Sequence, residues 1–534
     1  MAGWRFWIDR GGTFTDVVGR SPAGDLVVHK VLSVQPECSG DPAVRAIRQV
    51  LGLEPSLVPV SRSASATPLP AGLVDEVRLG TTVATNALLE GRGAGVVLLI
   101  NRGLADLLTI GDQHRPDLFA LEIERPHPLT VRVLEVVGRL AADGSELEPL
   151  HCADDLQQQL RQAQADGYTT CAVALLHSTC NPSHELQLGA WLEPLGFEAV
   201  VLSHRLSGRP RLVPRGQTAL VEAAVAPVLG RYLHQVQQAL GPATRLQVMR
   251  SSGTLAAPEA LLAKDTILSG PAGGMVGAVS VGLQVLEAAG FPPQPIVGFD
   301  MGGTSTDVFH FDGRHGDLAW ERSPTTEIVG LQLQAPMLPI HTVAAGGGSI
   351  LHFDGQRLLV GPASAGADPG PAAYRRGGPA TITDANVLLG RLPVEALPAV
   401  FGPSANQPAD GEAVRRCFAA LAASMAALAP GITPERVAEG ALQIAIETMA
   451  EAVRRISIQR GHDLREALLV SYGGAGGQHA CRLAELLGLQ RVLLHPLAGV
   501  LSAYGLGMAE QRLLLECSPR LPLEAAALPV LRNR

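Results

Sequence analysis

Two short segments of the 534-residue chain carry residues whose types and spacing suit one piece of chemistry. They are Asp9-Arg10-Gly11-Gly12-Thr13-Phe14-Thr15-Asp16 and Asp300-Met301-Gly302-Gly303-Thr304-Ser305-Thr306-Asp307. Both read D-x-G-G-T-x-T-D. Paired glycines let a backbone turn tightly and come close to a ligand with no Cβ in the way. Successive N–H groups in such a turn form a concavity for an anion. Threonine hydroxyls add hydrogen bonds to phosphate oxygens, and the leading aspartates, Asp9 and Asp300, are placed to hold Mg²⁺ against phosphate charge. One copy also fits an ordinary glycine hairpin. Two matched copies, which also carry Asp16 and Asp307 at their ends, argue for a polyphosphate gripped from both sides, with Gly11, Gly12, Thr13, Thr15, Gly302, Gly303 and Thr304 as its contacts.

A third glycine cluster, Gly473-Gly474-Ala475-Gly476-Gly477, follows the apolar run ending at Tyr472 and precedes a helix. It suits close packing of a nucleoside on backbone, and equally a helix-start turn. Ala344–Ser349 is another loop of exposed backbone, read as a cleft wall or a tight turn. His177 and His184 match no common metal-ligand spacing. The chain has no G-x-S-x-G elbow, H-E-x-x-H pair or P-loop, and its glycines open into β-rich runs rather than into the helix that a dinucleotide fingerprint requires.

The elements around the motifs repeat as well. Each copy reads strand, motif, strand, turn, strand, with LVVHKV as the last strand of the first copy and LAW as that of the second. Between them the sequence predicts a helix near 83–90, the strand GVVLLI, a Gln-rich helix near 153–166 and the buried strand CAVALLH, an alternation that favours a mostly parallel sheet flanked by helices. Residues 361–380 read as loop. Thr433-Pro434-Glu435 opens a long helix whose apolar face is Val437, Ala441, Ile444, Met449, Val453 and Ile456.

Apolar residues make up 46% of the chain and charged ones 17%, enough for a large core. A net charge of −8 disfavours nucleic acid as the main partner. The seven cysteines are scattered with no C-x-x-C, which predicts thiols in a reducing compartment. No uninterrupted apolar run approaches the roughly 20 residues that span a bilayer, and the N-terminus does not read as a signal peptide, so the expectation is a cytoplasmic protein with no membrane partner.

The segments DRGGTFTDVV, LGTTVATNALLE, LSGPAGGMVGA, GFDMGGTSTDV, LQAPMLPIHTVAAGGGS, VGPASAGADPGPAAYRRGGPATITDANVLLGRL, FGPSANQP and YGGAGGQHAC run in order through nearly everything before about residue 510. Together they resemble the N-terminal half of the hydantoinase A / oxoprolinase family, closest to its oxoprolinase branch. The resemblance implies an α/β fold of duplicated actin-like domains (ribonuclease H-like, as in sugar kinases and heat-shock ATPases) with a nucleotide cleft between them. It divides the chain into 1–205, 206–515 and a divergent tail, 516–534. It implies ATP and Mg²⁺ as cofactors and ATP-dependent opening of 5-oxo-L-proline to L-glutamate, with the lactam oxygen phosphorylated first. Asp9 and Asp300 would organise the metal, and Asp16 and Asp307 would position water or substrate. Gly473, Gly474, Gly476 and Gly477 would flank adenosine, and Asn86 would face the substrate. The family continues into a hydantoinase B-like half, so such a subunit or segment is the implied partner; a homo-oligomer stays open. An N-methylhydantoinase or ketone-carboxylase ATPase subunit, or a fragment that binds nucleotide without turnover, are the alternatives. Three positions depart from the family pattern: His341 where Asn is usual, Thr254 within SSGTL, and Gly91 where Arg is common.

Overall fold

Central strands buried on both faces read as continuous apolar runs, and the two runs that lead into the motifs, WRFWI and PIVGF, form the middles of two sheets. A computed structural model of the chain describes residues 3–12, 14–33, 40–53, 68–112, 119–122, 126–152, 154–313, 320–403, 406–514 and 516.

The first sheet has the order Leu255–Ala256, Arg245–Met249, Val74–Thr81, Trp4–Arg10, Phe14–Arg20, Leu26–Leu32. Trp4–Arg10 runs antiparallel to Phe14–Arg20 and parallel to Val74–Thr81. The second sheet has the order Ile340–Val343, Thr306–Phe311, Ile296–Met301, Leu468–Tyr472, Arg491–Leu494. Ile296–Met301 is again antiparallel to the strand after its motif and parallel to the next strand on its other side. The duplication seen in the motifs is therefore a duplication of sheet plan, with an antiparallel hairpin at one side of parallel strands. The copies differ at the third strand. Leu26–Leu32 follows its hairpin directly, whereas the neighbour of Thr306–Phe311 is Ile340–Val343; the predicted LAW strand falls mostly outside the described residues. The first sheet is completed by Arg245–Met249 and so takes strands from both sides of residue 205.

A third sheet, Glu146–His151, Val131–Leu140, Gly95–Asn101, Tyr168–Ala174, Ala199–Leu202, is parallel except for its first strand and carries the helix Asp154–Ala165. The long helix Pro434–Ile456 is capped by Thr433, whose hydroxyl accepts from the Arg436 N–H. Five of its six predicted core positions are buried, and Ile444 is partly exposed. The segment 361–380 begins within a strand, Leu358–Ser364, before it becomes turns.

One apolar core joins the first two sheets. Trp7, Val18 and Met249 from the first and Ile296, Phe309 and Val470 from the second pack on the helices Ser269–Ala288 and Leu501–Met508. These helices meet through glycines: a Cβ at Gly505 would lie 2.0 Å from the Gly273 carbonyl oxygen and 2.6 Å from the Gly277 nitrogen. Arg78 ties the seam to the first sheet by donating from Nη1 to the carbonyls of Leu506, Gly507 and Ala509. No helix among the described residues is long and apolar enough to cross a membrane.

Candidate functional site: two facing carboxylate hairpins

Register places the aspartates. In the first hairpin Asp9 pairs with Asp16 across the strands, and in the second Asp300 pairs with Asp307. Both tips close in the same way, with Gly11 N–H donating to the Phe14 carbonyl at 3.0 Å and Gly302 N–H to the Ser305 carbonyl at 3.0 Å. A Cβ at Gly12 or Gly303 would meet nothing within 4 Å. Each second glycine therefore presents open backbone, the arrangement a close-approaching anion needs. Thr13 lies outside the described residues, and Thr304 is exposed at its tip.

Thr15 and its counterpart Thr306 lie inside the hairpins. Thr15 is fully buried and shares a 2.9 Å hydrogen bond with Ser33, whose hydroxyl donates to the Gly11 carbonyl at 2.7 Å. Thr306 is fully buried and donates to the Ala345 carbonyl. The glycine loop after Ala345 braces the second tip, since the Gly347 and Gly348 N–H groups donate to the carbonyls of Gly302 and Gly303.

Asp300 feels the other three carboxyls, and Asp9 feels Asp16. Asp300 is pushed well above the ordinary carboxylate range, first by burial and then by Asp307, Asp9 and Asp16, with Lys30 opposing. Asp9 is raised to about 7 by burial and by Asp16, against Lys30. Burial also raises Asp16, which Lys30 partly offsets from 2.5 Å, and Asp307, which accepts from the Thr342 hydroxyl. Asp9 Oδ1 is buried with no hydrogen-bond partner, and it is packed against glycines: Cβ atoms at Gly80 and Gly270 would stand 3.1 and 3.2 Å from it.

An orphaned, desolvated carboxylate oxygen among three further acids is a site whose negative charge Lys30 only partly offsets, and a divalent cation bound with phosphate fits it. Among the described residues no three His, Cys, Asp or Glu side chains converge closely enough to enclose a metal alone. Mg²⁺ does not require that, because it takes one or two carboxylates and fills its octahedron with water and phosphate oxygens.

The third glycine cluster belongs to the same place. The strand Leu468–Tyr472 pairs with the second motif strand so that Tyr472 sits beside Asp300. Gly473 has φ +80°, and a Cβ there would lie 2.3 Å from Asp300 Oδ1; one at Gly476 would lie 2.8 Å from Ser471 Oγ. Gly473 makes room for the second hairpin, and Gly476 for the neighbouring strand at Ser471. Gly474 faces open space and Gly477 only Leu494, so they are the pair free to approach a ligand. Asn86, half-buried in the helix Val83–Leu89, donates to Thr82 Oγ1 at 3.3 Å, and Thr82 donates to the Arg10 carbonyl. It is linked to the first hairpin through Thr82. His184 is buried against Glu146 in the third sheet domain, and His177 occupies a left-handed turn.

The sequence reading missed Lys30. The turn SPAGD, residues 21–25, fixes Arg20 opposite Leu26, and stepping back along both strands brings Asp16 opposite Lys30. Register counting from the turn would have found it.

This geometry, two sheets of one plan with opposed acidic hairpins at their junction, defines a duplicated actin-like α/β protein. The chain belongs to the hydantoinase/oxoprolinase family: residues 5–196 match the model of its N-terminal region, and residues 215–514 match the Hydantoinase/oxoprolinase model. It is 40% identical to 5-oxoprolinase 1 of Arabidopsis thaliana over 95% of this chain and 41% of that protein. It is 34% identical to caprolactamase subunit alpha of Pseudomonas jessenii, over 94% of this chain and 70% of that subunit. The crystal structure of ATP-dependent caprolactamase from that organism superposes with a TM-score of 0.73 over 94% of this chain and 70% of that one, at 31% identity. A nucleotide-free acetone carboxylase superposes with a TM-score of 0.72 over 95% of this chain and 70% of that one, at 24% identity, a likeness of fold alone. The chain thus spans about two fifths of the length of the 5-oxoprolinases it matches.

Proposed function

We propose that the chain binds Mg-ATP between its two hairpins and activates 5-oxo-L-proline by phosphorylating the lactam oxygen, as the ATP-dependent component of a 5-oxoprolinase. The carrying observation is the set of four carboxyls from two register-matched hairpins, opposed by the lysine at position 30. Residue similarity to 5-oxoprolinases supports the substrate.

Phosphoryl transfer calls for positioning and charge neutralisation more than for a covalent nucleophile. The open backbone at Gly12 and Gly303 cradles phosphate from the two sides. Asp9 and Asp300 would hold Mg²⁺, which would offset phosphate charge, and Asp16 and Asp307 would position water or the incoming lactam. Gly474 and Gly477 lie against adenosine. The lactam oxygen attacks the γ-phosphorus, the bond to the β-phosphate bridging oxygen breaks, and ADP leaves. The phosphorylated amide carbon is a stronger electrophile, so one water adds there and the C–N bond opens, the nitrogen leaving as the amine, to give an acyl phosphate, which a second water hydrolyses to L-glutamate and phosphate. Ring opening is assigned to a hydantoinase B-like segment or subunit, as the greater length of the 5-oxoprolinases and the word subunit in the caprolactamase name support. A cytoplasmic setting accords with the five described cysteines, all free thiols.

The test is ADP release by the chain with a B-type partner, offered 5-oxo-L-proline, hydantoin, acetone or caprolactam. Stimulation by 5-oxo-L-proline, lost at least about 100-fold in Asp300→Asn, is expected. Stimulation by hydantoin or acetone alone, or an Asp300→Asn variant with unchanged Mg-ATP affinity and rate, would sink the reading.

A further inference from the structure

A cavity opens beside the carboxylate cleft, lined by residues between Ser251 and Arg460. Pro271 follows Gly270, which packs on Asp9, and Thr342 donates to Asp307. His341, Arg455 and Arg460 line the same space. The two arginines sit where the helix Pro434–Ile456 ends and the short turn Ile458–Arg460 begins. A cation at a helix C-terminus is favourable in itself. Arg454, in the same last turn, is already engaged, donating to the Leu486 carbonyl of the helix Ala480–Leu487 and facing Glu451 at 3.7 Å. Arg455 and Arg460 have no ion pair or hydrogen-bond partner among the described residues, and both are exposed to the cavity's solvent. Their proximity to one another shows at His341, which both hold below the ordinary imidazole range after burial has done so first. Two unpaired guanidinium groups beside an acidic cleft are a local reversal of charge. A planar fork of donors matches a carboxylate better than it matches any neutral group.

We infer that Arg455 and Arg460 form a carboxylate-binding subsite that selects an anionic lactam over a neutral one and holds its ring against the Asp307–Thr342 wall. This rests on the lactam reading above. His341, the position that departs from the family pattern, lies between that subsite and the cleft wall and adds a neutral hydrogen-bonding edge.

The experiment is calorimetric titration of the full chain, loaded with Mg²⁺ and a non-hydrolysable ATP analogue, with 5-oxo-L-proline and with 2-pyrrolidinone, the same ring without the carboxylate. Arg455→Gln and Arg460→Gln are each expected to weaken 5-oxo-L-proline by about tenfold or more, the usual worth of a charge-assisted hydrogen bond. Affinity for 2-pyrrolidinone and for the nucleotide should stay at the wild-type level, and Arg455→Lys should recover part of the loss. Both side chains are exposed, and unchanged nucleotide affinity reports an intact fold. Wild-type binding of 5-oxo-L-proline that survives both neutralisations overturns the subsite and leaves the proposed function standing. A wild-type chain that does not take 5-oxo-L-proline, whether or not it takes 2-pyrrolidinone, overturns both.

Discussion

Asp9 shows what a single residue gives up for a binding site. Its carboxyl is lifted from the ordinary 3.8 to about 7, so the folded chain holds that proton over a range where the unfolded chain has lost it. Stability attributable to this group is therefore full below about 4 and falls as pH rises through about 7. Asp9→Asn should raise the melting temperature at pH 7.5, with a gain of about 2–4 kcal/mol, the upper end being the full shift, and the gain should vanish near pH 4. Melting curves of both proteins across pH check it; a variant no more stable than wild type at pH 7.5 would show that Asp9 is not strained. The glycines divide in the same way. Gly473→Ala drives a Cβ into Asp300 at a left-handed backbone position and should cost about 2 kcal/mol or more. Gly12→Ala meets nothing, so it should keep its stability and lose Mg-ATP affinity. Denaturant melts and nucleotide titrations of the two variants separate a packing glycine from a contact glycine.

At the level of elements, the hairpins owe their shape to braces that lie behind them. Ser33 holds the first tip, and Thr306 with the loop after Ala345 holds the second. Removing the buried hydroxyl in Thr306→Val leaves the Ala345 carbonyl without that donor and should destabilise by about 1–3 kcal/mol, read by chemical denaturation, with the nucleotide restoring part of the loss. Much of this was legible in the sequence. The repeat of D-x-G-G-T-x-T-D gave the hairpins, and the apolar runs before each copy gave the central strands, because both signals are local. The roles of Thr15, Gly473 and Gly476 were not legible, because burial by a neighbouring strand or loop is a tertiary fact that a motif does not carry. The third strand of the second sheet was misplaced for a related reason. Its partner, Ile340–Val343, is distant along the chain from Thr306–Phe311, and no turn signal marks the pairing. The arginines of the cavity escaped notice because, in sequence, Arg455 looks like part of the basic last turn of an amphipathic helix and Arg460 like a charge in the turn after it.

Across the whole molecule, the two sheets share one core along the glycine seam between Ser269–Ala288 and Leu501–Met508. A methyl group at position 505 has nowhere to go, so Gly505→Ala should part the helices, cost about 3 kcal/mol and weaken Mg-ATP although it touches neither hairpin; a variant with wild-type melting and affinity would show the seam to be slack. The acids that meet above this seam have a consequence for turnover itself. Raised carboxyls are partly protonated when the cleft holds no cation, and a divalent ion must displace those protons to bind. Loading the cleft near pH 7 should release protons, and emptying it should take them back. Calorimetry of Mg-ATP binding in buffers of different ionisation enthalpy would then give heats that vary with the buffer. Every passage of nucleotide through the cleft would carry a counterflow of protons with the surrounding water, so the local acidity of the solution would set how readily the cleft reloads.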